Sequence, residues 1–163
     1  MQVYLLRHGI AEESRAGLRD ADRALVPEGR KKLKEVLRLA RSADTAISLI
    51  LTSPYRRARE TAEMVSEFLS TEAELLESTS LTPESHPKGV WQEICAHKAV
   101  DSILLASHEP LMSSTAAYLL NSGSLHVDFK KGALMRIDVE SFGPQPHGVL
   151  RWMITPKLVG NNT

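Results

Sequence analysis

Three short apolar runs in this chain each end in residues able to handle an anion. Residues 2–6 lead into Arg7-His8-Gly9, residues 47–51 into Thr52-Ser53-Pro54-Tyr55-Arg56-Arg57-Ala58-Arg59, and residues 102–106 into Ser107-His108-Glu109-Pro110. Arginine presents a flat fork of donors that matches a phosphate group. Neutral imidazole is a nucleophile near neutral pH, because its ordinary pKa is about 6.5. Phosphoryl transfer asks mainly for positioning and charge neutralisation. Two histidines and two arginines supply both without a metal ion.

Singly, these residues read more plainly. A histidine after a strand is usually a surface or capping residue, and Arg7 alone is a solvated charge. Gly9 is a turn residue with free φ, or a point where backbone approaches a ligand closely. Arg57 says more. It lies in the first turn of an expected helix, where the dipole favours acids, yet Arg56, Arg57 and Arg59 crowd there before Glu60, the first acid. That placement anticipates an anion nearby.

The elements that must bring these segments together follow from periodicity. Residues 2–6, 47–51 and 102–106 read as buried strands. Pro27 opens a helix whose Leu33, Val36, Leu37 and Ala40 recur at helical spacing. Ser53 as cap and Pro54 at the first position start a second helix, with Ala58, Thr61, Ala62, Val65, Phe68 and Leu69 inward. A short strand is expected near Leu75-Leu76, a loop over 79–89, a short helix over 90–98, and a helix from Pro110 through Leu120. Residues 133–139 and 149–154 flank a turn-rich segment and predict an antiparallel hairpin at a sheet edge. This order predicts an α/β three-layer sandwich with a mostly parallel central sheet and an antiparallel edge hairpin. Ligands of such folds sit beyond the carboxyl ends of the strands, where all three basic segments fall.

The 163 residues fit a single domain over 1–155, with a tail over 156–163. Lys+Arg and Asp+Glu number 20 each, so net charge is zero. That argues against a general nucleic-acid or membrane-surface role, and any attraction for an anion must be local. No apolar run approaches the length of a membrane span. Residues 1–6 do not read as a secretory leader. Cys95, the single cysteine, admits no internal disulfide and reads as a packing residue, so the expected compartment is the cytoplasm. None of the six histidines pairs at close ligand spacing and no Asp-rich cluster accompanies them, so neither a metal nor another cofactor is expected.

Arg7-His8-Gly9, Ser53-Pro54 with Arg57-Ala58 and Thr61, and Ser107-His108 resemble the histidine phosphatase superfamily, and within it the SixA-type phosphohistidine phosphatases. The segment Arg23 to Arg30 resembles a further element of that branch, and the likeness spans about residues 1–139. The resemblance implies His8 as the phosphorylated nucleophile, Arg7 and Arg57 as ligands of the transferring group, and His108 as the second histidine of the pocket. Ala58 and Thr61 set the register that selects Arg57 over Arg56. Arg23 matches a family arginine that touches substrate. Ile10 stands where many members have Glu, and Val26 where Thr is usual. The implied partner is a phosphorylated protein, such as a histidine-containing phosphotransfer domain, or a small phosphorylated metabolite.

The expected reaction has two steps: attack of His8 on phosphorus, then hydrolysis of the phosphohistidine by water. A phosphomonoester leaving group needs a general acid. Glu84 and Glu109 are the candidates, and the plainer readings, a solvated loop acid and a helix-start acid, weigh more. A phosphoramidate needs less help, since imidazole leaves already protonated. Too little chain separates Thr61 from His108 for a long inserted cap, so an open pocket and a protein phosphohistidine are favoured. The alternatives are a phosphatase of small phosphomonoesters and a non-catalytic phosphate-binding module.

Overall fold

A computed structural model of the chain describes residues 1–43, 45–69 and 72–159. The elements run β1 (Gln2–Arg7), α1 (Pro27–Ser42), β2 (Leu49–Thr52), α2 (Arg56–Leu69), β3 (Glu74–Glu77), α3 (Pro87–Ala96), β4 (Ser102–Ser107), α4 (Leu111–Leu119), β5 (Leu134–Val139), β6 (Gly148–Ile154) and α5 (Pro156–Val159). Short 3-10 turns cover Asp20–Asp22 and Thr79–Leu81. The six strands form one sheet in the order β3-β2-β4-β1-β5-β6. The first four are parallel, while β5 runs antiparallel to both β1 and β6.

Period-two alternation in the buried strands builds a core on each face of the sheet. Val3 and Leu5 of β1 join Leu51, Ile103 and Leu105 against Val90 and Ile94 of α3 and Met112 and Leu119 of α4. Tyr4 and Leu6 point the other way, with Ile50 and Leu104, onto Leu33, Val36 and Leu37 of α1 and Ala62 and Val65 of α2. Each fully buried Leu or Ile contributes roughly 1.5–3 kcal/mol, which sets the helices firmly on the sheet. Pro27 starts α1 where a missing N–H costs nothing, and Glu28 in the first turn and Arg41 in the last complement the dipole.

The expected three-layer α/β sandwich and its edge hairpin are observed, with differences at element ends. Helix α2 begins at Arg56 and not at Pro54. Ser53 Oγ takes the Tyr55 N–H (3.3 Å) but also pairs with a histidine, so the cap is displaced by a tertiary contact. The 79–89 segment is not all loop, because Pro87 opens α3 ahead of the expected Val90. At the chain end, Pro156–Val159 is a helical turn packed on α1 with Val159 against the core. Residues 160–163 of the expected tail lie outside the described residues. The hairpin turn is tied down by Phe142, which stacks on Trp91 (centroids 5.9 Å apart, planes at 4°), while Trp91 Nε1 donates to the Gly143 carbonyl. Cys95 packs half-buried at the core edge under α3, in keeping with a packing role. Among the described residues, no helix is long and apolar enough to cross a membrane.

Candidate active site

Strands β1, β2 and β4 end flush. Arg7 lies opposite Ser107, and Thr52 opposite Ala106. The next residues, His8, Ser53 and His108, therefore leave the sheet side by side. The His8 N–H donates to the Ser107 carbonyl (2.9 Å) and the Ser53 N–H to the Ala106 carbonyl (3.0 Å), so the ladders continue into the site. From the other side, the turn before β5 closes on β1. Gly132, at φ +77°, shares its N–H between the Arg7 and His8 carbonyls at 3.0 Å each. That left-handed conformation strains any residue with a Cβ.

The two imidazoles meet edge-on, centroids 5.0 Å apart and planes at 60°. His8 is 7 % exposed and His108 2 %. His8 Nδ1 is 2.7 Å from the Gly9 carbonyl, which only accepts, so Nδ1 carries the proton. Nε2 is thereby left with its lone pair, and it accepts from Arg57 Nε at 3.2 Å. The His8 pKa is lowered to about 3, chiefly by burial, with Arg57, Arg7 and Lys131 adding to this against the Gly9 bond. Burial likewise lowers His108 to about 2, helped by His8 and Arg57. Both rings are neutral near pH 7.

His108 Nε2 pairs with Ser53 Oγ at 2.8 Å, and its Nδ1 is buried without a partner. Arg7 donates through Nη1 to the Phe129 carbonyl (2.7 Å), while its buried Nε is also unpartnered. Buried polar atoms left unpaired are costly, and two of them converge on the strand ends. Arg57, 5 % exposed, engages each of its three nitrogens. Beyond His8, Nη1 donates to the Asp20 carbonyl (2.6 Å) and Nη2 to Asp20 Oδ2 (2.9 Å). Tyr55 flanks the pair, 5.1 Å from the His108 ring and 5.1 Å from the Arg57 guanidinium carbon. Thr61 locks the floor: its Oγ1 takes the Gly9 N–H (3.2 Å) and donates to the Arg57 carbonyl (2.7 Å).

The structure thus brings together Arg7, His8, Arg57 and His108, and sets the other expected residues apart. The close approach at Gly9 is to protein: a Cβ there would stand 3.3 Å from Leu25 Cδ2 and 3.4 Å from the Gly29 carbonyl. Arg23 binds the Glu12 carbonyl (2.5 Å) and Asp20 Oδ1 (2.7 Å), one carboxylate away from Arg57. Glu84 is exposed and takes only a long bond from Tyr55 OH (3.4 Å). Glu109 Oε1 accepts the Ser113 N–H (2.8 Å) in the first turn of α4, as a helix-start acid does. The basic run of α2 divides: Arg56 pairs with Glu60 and Arg59 with Glu77, and Arg57 alone turns inward.

Asp20, Ser53 and Thr61 join the site without standing among the residues expected to carry its chemistry. Thr61 left a signal, a hydroxyl in the apolar stripe of α2. Asp20 left only its spacing of three from Arg23. Among the described residues, no three His, Cys, Asp or Glu side chains group as a metal cage requires.

Residues 3–79 match the model of the histidine phosphatase superfamily (branch 1). Phosphohistidine phosphatase SixA of Escherichia coli strain K12 is 27% identical over 162 residues, covering 96% of this chain and 94% of that protein. A SixA homolog of Haemophilus influenzae is 31% identical over 130 residues, covering 73% and 77%. A solved structure of the protein histidine phosphatase SixA complexed with tungstate superposes with a TM-score of 0.84 at 25% identity, covering 97% of this chain and 99% of that one. The chain belongs to the histidine phosphatase superfamily, and it is a phosphatase.

Proposed function

We propose that this phosphatase removes phosphate from phosphohistidine in a protein, through a phosphohistidine intermediate on its own His8. The observation that carries the reading is the division of labour on the His8 ring: Nδ1–H is held by the Gly9 carbonyl and Nε2 keeps its lone pair in a cationic niche. In the first step Nε2 attacks phosphorus in line, and the bond from phosphorus to the leaving nitrogen breaks, its electron pair returning to that nitrogen. His8 becomes an N-phosphoimidazolium whose Nδ1–H stays on Gly9. In the second step water attacks phosphorus, the P–Nε2 bond returns its pair to His8, and phosphate departs as dihydrogen phosphate with both protons of the water.

Arg57 and Arg7 offer guanidinium donors to the equatorial oxygens, and the buried Nδ1 of His108 offers another when Ser53 Oγ donates to Nε2. The residues here act by charge and position, as phosphoryl transfer demands. The acids favour a phosphoramidate over an ester. Glu109 is engaged at α4 and Glu84 is exposed on Tyr55. Asp20 is held ionised: burial alone would raise its carboxyl, but Arg23 and Arg57 outweigh this and hold it below the ordinary range. An alkoxide leaving group finds no ready proton there. Imidazole protonated on its far nitrogen needs none. The relatives named as phosphohistidine phosphatases support the same substrate class.

The test is a labelled phosphohistidine protein beside a panel of small phosphomonoesters. The wild type is expected to turn over the protein faster and to carry label on His8 after a rapid quench. His8→Ala is expected to lose both turnover and label. Wild-type rates in that variant would remove His8 from the reaction, and a preference for a metabolite would replace the substrate class.

A further inference from the structure

All three nitrogens of the Arg57 fork have partners, and two of them bond Asp20, a residue that the two-step reaction above does not use. Asp20 supplies both its carbonyl and Oδ2 to Arg57, and its Oδ1 holds Arg23. The Asp20 side chain is 52% exposed, so it stands at the mouth of a cradle whose histidines are almost fully buried. A phosphoryl group seated on His8 Nε2 competes with Asp20 for the two Nη groups of Arg57. When Asp20 yields Arg57 to that group, the bond from Arg23 keeps it tethered at the mouth.

A carboxylate in that position repels a phosphate dianion. It is useful only to a substrate that brings positive charge with its phosphate. Phosphohistidine does so. Its reactive form carries a proton on the far ring nitrogen, so that neutral imidazole departs when the P–N bond breaks. A phosphomonoester offers no such group.

We propose that Asp20 is a specificity-determining residue, which leaves Arg57 on substrate binding and accepts the far N–H of the departing imidazole. This rests on the phosphohistidine reading and assigns it a recognition element. Asp20 holds the substrate ring in its protonated, departing form, then returns to Arg57 when phosphate has left. No atom is transferred to Asp20: the N–H proton stays on the leaving ring. Arg23 is a positioning residue in this scheme, since it reaches the substrate only through Asp20.

Asp20→Asn removes the charge and keeps a carbonyl oxygen for Arg57. The measurement is kcat/KM on a phosphohistidine peptide and on p-nitrophenyl phosphate, for wild type and variant. The ratio of the two is expected to fall by about tenfold or more in the variant, because one substrate loses a charge-assisted bond and the other loses a repulsion. Asp20→Glu is expected to recover part of the ratio. Any smaller change overturns the inference: rates that fall together make Asp20 structural, and rates that rise together make it a mere competitor for Arg57. A wild type that labels His8 from p-nitrophenyl phosphate but ignores the phosphohistidine peptide overturns the substrate reading itself, and this inference with it.

Discussion

On His8, tautomer and charge state come from different sources. The Gly9 carbonyl, 2.7 Å from Nδ1, dictates which nitrogen carries the proton, while burial dictates that the ring carries only one. A protonated His8 would be no nucleophile, and three cationic side chains act on it to prevent that. His108 is held neutral by the same burial and by His8 itself. The expected outcome is that NMR signals from these two rings do not titrate between about pH 8 and about pH 5, well above their lowered midpoints. A midpoint close to the ordinary histidine value on either ring would contradict the electrostatics described here.

Among the elements, the start of α1 decides whether the loop after β1 keeps its shape. A Cβ on Gly29 would lie 2.2 Å from the Ile10 carbonyl oxygen and 2.8 Å from its nitrogen. Nothing but glycine lets α1 come so close to the backbone two residues beyond His8. Glu60 of α2 completes the clamp, accepting from Leu25 N (2.8 Å), Arg30 Nη2 (2.7 Å) and Arg56 Nε (2.9 Å). Gly29→Ala is expected to cost about 1–3 kcal/mol, the range for forcing atoms into a filled site, read from the urea midpoint. Phosphatase activity is expected to fall with it, because the displaced Ile10 carries Gly9 along. An unchanged midpoint would show that this contact relaxes freely. At Ile10 the fold engages the backbone, which is wedged on Gly29 and whose carbonyl accepts the Val26 N–H (3.0 Å).

Across the whole molecule, neutral histidines at the heart of the site make stability depend on pH. In the unfolded chain His8 and His108 titrate near 6.5, whereas in the folded protein they do so at about 3 and about 2. Below pH 6.5 the unfolded state therefore binds more protons than the folded one, and stability falls as pH falls. The contribution is complete above that pH and is withdrawn on the way to the folded values. Asp20 and Asp138, both held below the ordinary range by arginines, add a further loss once pH enters the carboxylate region. The urea midpoint is expected to drop already between about pH 7 and about pH 5, before carboxylates contribute. A flat midpoint over that interval would be inconsistent with neutral buried rings. With net charge zero over the chain, the cationic cradle is a local arrangement and not a property of the surface as a whole.

The amino-acid order alone determined the strands, because runs such as Ile103-Leu104-Leu105 are apolar enough to be buried on both faces whatever surrounds them. It determined the helices with clean stripes, and it offered Arg7, His8 and His108 as candidates at strand ends, with Arg57 chosen over Arg56 by the register that the family resemblance sets. Helix starts were less legible: Ser53 looks like a cap, and only the approach of His108, 55 positions away, draws its hydroxyl elsewhere. Asp20 was invisible for the same reason. An acid in a polar loop resembles any solvated acid until folding sets it 2.9 Å from Arg57, 37 positions on. Local periodicity is written in neighbouring residues, but the partners of a polar side chain are chosen by long-range packing. The strand ends could be read beforehand; which carboxylate guards them was decided only in three dimensions.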